Sequence, residues 1–254
     1  METRFRISTM TQVGEISSHV DLGALFKDFP LSESIPYLKY GDKERGEPNT
    51  KKKVKKKVDD KRKHYFFNQV TLHVNVGKVI NLKVFNNGGI QMTGLKGESQ
   101  GSTAIENVLQ RVSTLGPEAI SAIFYTIKVL PTCLRLKMVM INSDFDIGFT
   151  IDREKLHRAM VSYRYYSSFE STIYPGVNIK YYYNPGKHSD GICNCEGVCD
   201  GKGANGLCKK ITIAVFKSGK IIITGGSSME HINTAYDFIT KFAESHKSDI
   251  IAPR

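Results

Sequence analysis

The chain has 254 residues, a formal net charge of +11 and an isoelectric point of about 9.3. That length suits two units of about 100 residues, each with a modest core, and the basic balance favours a polyanion, nucleic acid above all, as partner. The longest apolar stretch, residues 119–130, is too short for a membrane span and contains Lys128, and the opening METRFRISTM lacks the apolar segment of a secretory signal.

The charge is unevenly placed. Residues 41–64 hold eleven Lys/Arg and five Asp/Glu, a net +6, so bulk charge is a weak argument for nucleic-acid binding by the rest. The tract NTKKKVKKKVDDKRKH reads as a solvated loop inserted at about 41–64, with nuclear import or contact with a DNA backbone as the alternative. After it, Val70, Leu72, Val74 and Val76 alternate with Phe67, Gln69, Thr71 and His73, which predicts a strand apolar on one face only. Ile80, Leu82 and Val84 alternate with Asn81, Lys83 and Phe85 in the next strand, and Ile90 and Met92 with Gln91 and Thr93 in a third.

Residues 84–94 read VFNNGGIQMTG and residues 215–225 read VFKSGKIIITG, identical at six of eleven positions with an offset of 131. Each is a strand, a Gly-containing turn and a second strand, the pattern of a hairpin. A helix pattern follows each copy: Ile105, Val108, Leu109, Val112 and Leu115 in the first, Ile232, Ala235, Tyr236, Ile239 and Phe242 in the second. The chain therefore reads as a duplication, with repeats over 1–116 and 133–254 and an extra helix over 117–132 joining them. Each helix must cover the apolar strand face, which leaves Phe67, Phe85 and Phe216 on the open one. Matched aromatics on an open sheet face suggest a binding surface; the plain alternative is an edge ring covered by a loop.

Here the residues resemble a known family. VFKSGKIIITG, FESTIYPG (169–176) and FDIGFTI (145–151) are similar to segments of the TATA-box-binding protein (TBP) family. The resemblance covers roughly residues 4–114 and 134–245 and implies an α+β, two-repeat saddle: a curved antiparallel sheet covered by helices on its convex face. It also implies architectural rather than catalytic chemistry, in which apolar wedges unstack base steps from the minor groove; the family is itself the reference example of that mode. The wedge positions fall on Phe67 and Phe85 in repeat 1 and on Tyr174 and Phe216 in repeat 2. Polar DNA contacts are expected of Gln69, Thr71, His73, Lys83, Thr93, Lys96, Lys180, Thr212, Lys220 and Thr224; by the resemblance, Thr93 and Thr224 reach base-edge acceptors, and Lys96, Lys180 and Lys220 contact phosphates, which position the protein without reading sequence.

Two departures stand out. The family's central asparagines align with Phe5, through the IST segment, and with Met140, while Asn142 lies two residues away on the same face. Fewer polar probes imply a blurred preference for TATA. Glu170 matches one acidic residue offered to a TFIIB-like initiation factor; the second acidic position is Thr172 here. The implied partners are double-stranded DNA, that factor and an RNA polymerase, with the protein a monomer on DNA and no membrane partner. The insertions resemble those of a fast-evolving lineage such as a large DNA virus, which places the activity in a nucleus, in a cytoplasmic viral factory or in the virion.

Cys193, Cys195, Cys199 and Cys208 fall in a second insertion, at about 184–208, amid Gly, Asp and Asn with little apolar content. Such a segment cannot fold by burial, and a structural Zn²⁺ held by four thiolates would supply the missing stability. Disulfides and free thiols are the alternatives; His188 is a spare ligand, and Cys133 stands apart and is expected to be buried. Gly88 and Gly89 sit in a hairpin rather than ahead of a helix, and no nucleophile–base or paired-carboxylate pattern shares a site, which argues against an enzyme. The rival readings are a saddle that serves as an interaction scaffold without bending DNA, and a sequence-nonspecific DNA-binding protein.

Overall fold

The computed structural model describes residues 4–48, 66–125, 130–186 and 190–252, so most of the Lys-rich tract and His188 lie outside the described residues. In chain order the elements are β1 (Arg6–Ile16), α1 (Leu22–Asp28), β2 (Tyr37–Tyr40), β3 (Lys43–Gly46), β4 (Gln69–Asn75), β5 (Val79–Phe85), β6 (Gly89–Leu95), α2 (Gln100–Val112) and α3 (Pro117–Ile123). The second half follows with β7 (Cys133–Asp146), α4 (Arg153–Ser162), β8 (Tyr166–Ser168), β9 (Val177–Tyr183), β10 (Lys209–Val215), β11 (Lys220–Gly226), α5 (Met229–Ser245) and α6 (Lys247–Ile250). Two compact units emerge, Met10–Met138 and Met1–Thr9 with Val139–Arg254. β1 and β7 each contribute to both, so the units do not divide the chain at residue 133.

The first unit has strand order β3-β2-β4-β5-β6-β1 and the second β7-β11-β10-β9-β8, with antiparallel registers along each. The expected alternation holds. Val70, Leu72, Val74, Ile80, Leu82, Val84, Ile90 and Met92 are buried under α2, whose own Ala104, Ile105, Val108 and Val112 are buried. In the second unit Ile179, Ile211, Ile213, Ile221 and Ile223 are buried under Ile232, Ala235, Ile239 and Phe242 of α5. Each such side chain contributes about 1.5–3 kcal/mol by leaving water, and truncating one, Ile213→Ala for instance, costs about 2–5 kcal/mol once the cavity is included. Among the described residues no helix is long and apolar enough to cross a membrane.

The duplication extends to single hydrogen bonds. Ile16 N donates to Gly88 O at 2.9 Å and Ile147 N to Gly219 O at 3.0 Å; Val20 N donates to Asn86 O at 2.8 Å and Ile151 N to Lys217 O at 2.9 Å. Gly88 (φ 82°) and Gly219 (φ 86°) are both left-handed, and a Cβ on either would lie 2.3 Å from a backbone oxygen, that of Ser18 or of Phe149. Only glycine fits such a turn. Asp21 and Asp152 cap α1 and α4, each accepting from the backbone N–H three residues on, a contact worth about 1 kcal/mol per helix.

Three expectations change. The helix expected over 117–132 ends at Ile123, because Phe124 turns extended, is buried and bridges Val20. Nor is it an extra element: α6 closes the second unit in the same manner, Ile251 bridging Ile151. Residues 41–46, read as the start of an insertion, belong to the β2–β3 hairpin. Cys133, expected to be buried, is exposed at the first position of β7.

Candidate nucleic-acid interface

The helices cover one face of each unit's sheet and leave the other open. In the first unit that face carries Gln69, Thr71 and His73 of β4, Lys83 and Phe85 of β5, and Gln91 and Thr93 of β6, all half-buried. In the second it carries Lys180 and Tyr182 of β9, Thr212 of β10, and Ile222 and Thr224 of β11. Ala214 shares this face by register but is 4% exposed. Lys96 and Lys220 are exposed, Lys96 just past β6 and Lys220 at the start of β11.

Strand register defines matching positions in the two halves. Phe85 is opposite Gln69, and the pairing of Val215 with Val177 brings Phe216 opposite Gly176. Tyr174 and Phe216 form an edge-to-face pair with ring centroids 5.8 Å apart. Gly176 makes room for it, since a Cβ there would lie 2.9 Å from the Tyr174 ring and 3.2 Å from that of Phe216. The first half differs. Gln69 replaces the glycine, and Phe67 packs edge-on against Tyr40, centroids 6.0 Å apart, over Gly41, where a Cβ would strike its ring at 2.3 Å. Phe66, the neighbouring candidate, is 68% exposed.

A polar row crosses each open face. In the first unit Tyr37, His73, Asn81, Thr93 and Thr11 are successive cross-strand neighbours. The Tyr37 ring covers His73, centroids 4.6 Å apart, and burial lowers the pKa of His73 from its ordinary value. In the second unit the row is Tyr166, Lys180, Thr212, Thr224 and Asn142. Lys180 Nζ donates to Thr212 Oγ1 at 2.9 Å, and Thr224 Oγ1 donates to Asn142 Oδ1. Burial first, then the charge of Lys210, lowers the pKa of Lys180.

The registers also revise one alignment. Met10 faces Leu95 and Ile141 faces Gly226, so Met140 corresponds to Thr9 rather than to Phe5. Phe5 instead packs on Tyr236 of α5, centroids 5.4 Å apart. Sequence reasoning missed a further feature: Arg6 grips Asp144 bidentately, with N–O distances of 2.9–3.2 Å. Asp144 lies opposite Ile222, on the open face; the matching position of the first half is Val13.

Glu170 is exposed in the turn before Tyr174. Thr172 donates to it through its hydroxyl at 2.8 Å and its N–H at 3.4 Å, which holds the carboxyl below its usual range. The four insertion cysteines are free thiols whose Sγ atoms lie within 4.8 Å of one another. Cys208, buried, is 3.4 Å from Cys195 and 3.9 Å from Cys193. A tetrahedron of sulfurs about 2.3 Å from a zinc ion has S–S edges of about 3.8 Å, so the donor set fits. Burial pushes Cys208 up to about 12, whereas the hydrogen bond from Cys208 draws Cys195 down. The insertion is tied to the sheet by Tyr182 N donating to Gly191 O at 3.0 Å and by Lys210 N donating to Gly201 O at 2.8 Å. The tyrosines nearby are packing residues: Tyr165 sits edge-on and Tyr181 tilted against Phe238, and Tyr163 packs edge-on against Phe242 and His246.

Comparison with known proteins agrees with this geometry. Residues 135–244 match the family described as transcription factor TFIID (or TATA-binding protein, TBP). A TATA-box-binding protein-like protein of Acanthamoeba polyphaga mimivirus is 31% identical over 252 residues, covering 93% of this chain and 64% of the relative. The chain thus spans just under two thirds of that relative's length. Among solved structures, the TBP of Methanococcus jannaschii superposes with a TM-score of 0.56 at 16% identity, over 95% of this chain and 98% of the other, a likeness that shows the fold.

Proposed function

We propose that this chain, a divergent TATA-binding-protein-like protein, is a transcription initiation factor that binds double-stranded DNA through the minor groove and bends it. The carrying observation is the Tyr174–Phe216 ring pair at one end of an open polar face. Rings held this way can enter between base steps, and what they gain there offsets an unstacking cost of about a few kcal/mol per step, as in the family that is the reference case for it. Phe85 and Phe67 are the matching residues of the first half, with Phe67 leaving Tyr40 to act.

Lys83, Lys96 and Lys220 neutralise phosphates on either flank, Lys180 adds charge within the polar row, and the tract at 49–65 adds a sequence-independent attraction. Glu170, held by Thr172, is the acidic contact for a TFIIB-like initiation factor, and the helices covering the far face offer surface to an RNA polymerase. The setting is a host nucleus or a cytoplasmic viral factory. Cys193, Cys195, Cys199 and Cys208 hold a structural Zn²⁺ that orders the second insertion; it supplies cross-linking rather than catalysis. The test is the bend angle, read by fluorescence energy transfer across an end-labelled duplex. The double substitution Phe85→Ala with Phe216→Ala should abolish the bend and leave a weaker, salt-sensitive complex. A bend unchanged in that variant would favour a scaffold or a packaging protein instead.

A further inference from the structure

The polar row of the second unit has a chemical polarity. Lys180 donates to Thr212 Oγ1, and Thr224 donates to Asn142 Oδ1. Thr212 Oγ1 and Asn142 Oδ1 each accept one bond from a neighbour within the row. The row also presents donors: ammonium protons of Lys180, the hydroxyl proton of Thr212 and the amide N–H groups of Asn142. Asn142 Nδ2 has no hydrogen-bond partner among the described residues. Asn142 is half-buried, so it is accessible from the open face yet fixed by its neighbour. On the backbone side, Ser8 Oγ donates to Asn142 O at 3.0 Å, which anchors the residue a second time.

The edge that A·T pairs present in the minor groove carries acceptors alone, adenine N3 and thymine O2, whereas G·C adds the donating guanine amino group. The amide N–H groups of Asn142 complement the first edge and meet the guanine amino group donor to donor. We infer that Asn142, oriented by Thr224, supplies the base-reading amide of the second half and imposes its preference for A·T pairs. Met140, at the family's asparagine position, has no polar atom for this task. The matching position of the first half is Thr11, 5% exposed and without an amide, so the discrimination is concentrated in one half. This inference rests on the minor-groove reading above.

The test uses the full chain and three duplexes: an all-A·T core, the same core with single G·C pairs walked across it, and one with inosine·cytosine pairs at those places. Inosine lacks the amino group, so its pair offers the minor-groove edge of A·T. Wild-type protein should bind the inosine duplex like the all-A·T one and lose about tenfold in affinity at the G·C position under Asn142, the discrimination expected of a well-placed base contact. Asn142→Ala and Asn142→Val should bring that ratio close to one at this position alone. Thr224→Val should erode it and Thr224→Ser should keep it, which separates orientation of the amide from mere folding. A ratio unchanged in both Asn142 variants overturns the inference while leaving DNA bending in place. A wild-type chain that binds none of the duplexes overturns the minor-groove reading itself, and this inference with it.

Discussion

Gly176→Ala is the most economical probe of the wedge mechanism, because it adds one methyl group and replaces no candidate DNA contact. Gly176 is not among the left-handed glycines, so alanine is acceptable to the backbone. The new Cβ lies 2.9 Å from the Tyr174 ring and 3.2 Å from that of Phe216, too close for both rings to stay where they are. Losing their edge-to-face contact costs about 0.5–1.5 kcal/mol, and a more restricted unfolded chain returns about 0.4–1 kcal/mol. Denaturant unfolding should therefore shift by less than about 1 kcal/mol. DNA binding responds differently, because the displaced rings must be brought back before they can insert. About 1 kcal/mol of lost pre-organisation corresponds to a roughly fivefold weaker complex, and energy transfer across the duplex should report a shallower bend. Gln69→Ala, at the matching position of the first half, removes a candidate polar contact without displacing a ring, so it should weaken binding and leave the bend alone. If Gly176→Ala and Tyr174→Ala both bend DNA as the wild type does, the rings are not wedges.

Deleting residues 49–65 removes nine Lys/Arg and two Asp; affinity and the steepness of its salt dependence should both fall in a salt titration, with bend angle and sequence preference unchanged. A changed preference would mean that the tract reaches base edges. Purified protein should carry about one zinc per chain by elemental analysis, and Cys195→Ser with Cys199→Ser should release it. Hydrogen exchange should then quicken at the Tyr182 and Lys210 amides, which bond to Gly191 and Gly201, while the main unfolding transition stays cooperative; a metal-free protein with its insertion still protected would refute the site. Arg6→Ala should cost less than about 1 kcal/mol of stability, since the Arg6 side chain is 75% exposed. Its effect on DNA should be larger because Asp144 is left as a bare carboxylate facing a polyanion, and adding Asp144→Asn should restore binding.

Much of this architecture is legible in the sequence for a simple reason. One-sided strands alternate with a period of two, so the open-face positions of Thr71, Lys83, Thr93 and Thr224 follow from residue parity alone. The turn glycines announce the hairpins because Gly88 and Gly219 press against backbone oxygens that no side chain would tolerate. What escaped has equally physical causes. The β2–β3 hairpin, YLKYGDKERG, lies at a sheet edge, and its outer strand β3 is charged and mostly exposed, with no apolar signature. The offset between repeats is 131 residues at Phe85 and Phe216 but 107 at Phe67 and Tyr174, so one sliding alignment cannot serve both. The short IST segment at 7–9 misled the placement of Phe5, which the pairing of Met10 with Leu95 and of Ile141 with Gly226 corrects. The Arg6–Asp144 pair joins residues 138 apart, and Thr224 and Asn142 are 82 apart; no local pattern marks either.

The matching bridges from Phe124 to Val20 and from Ile251 to Ile151 bear on how such a chain evolves. Each half ends by lacing its last turn of helix back onto the segment ahead of its own first helix, so each is finished by its own residues. A loop lengthened in one half then disturbs nothing in the closure of the other. The chain records that freedom: one copy took up a run of lysines ahead of β4, the other a knot of thiols ahead of β10, and the two clasps remain alike bond for bond.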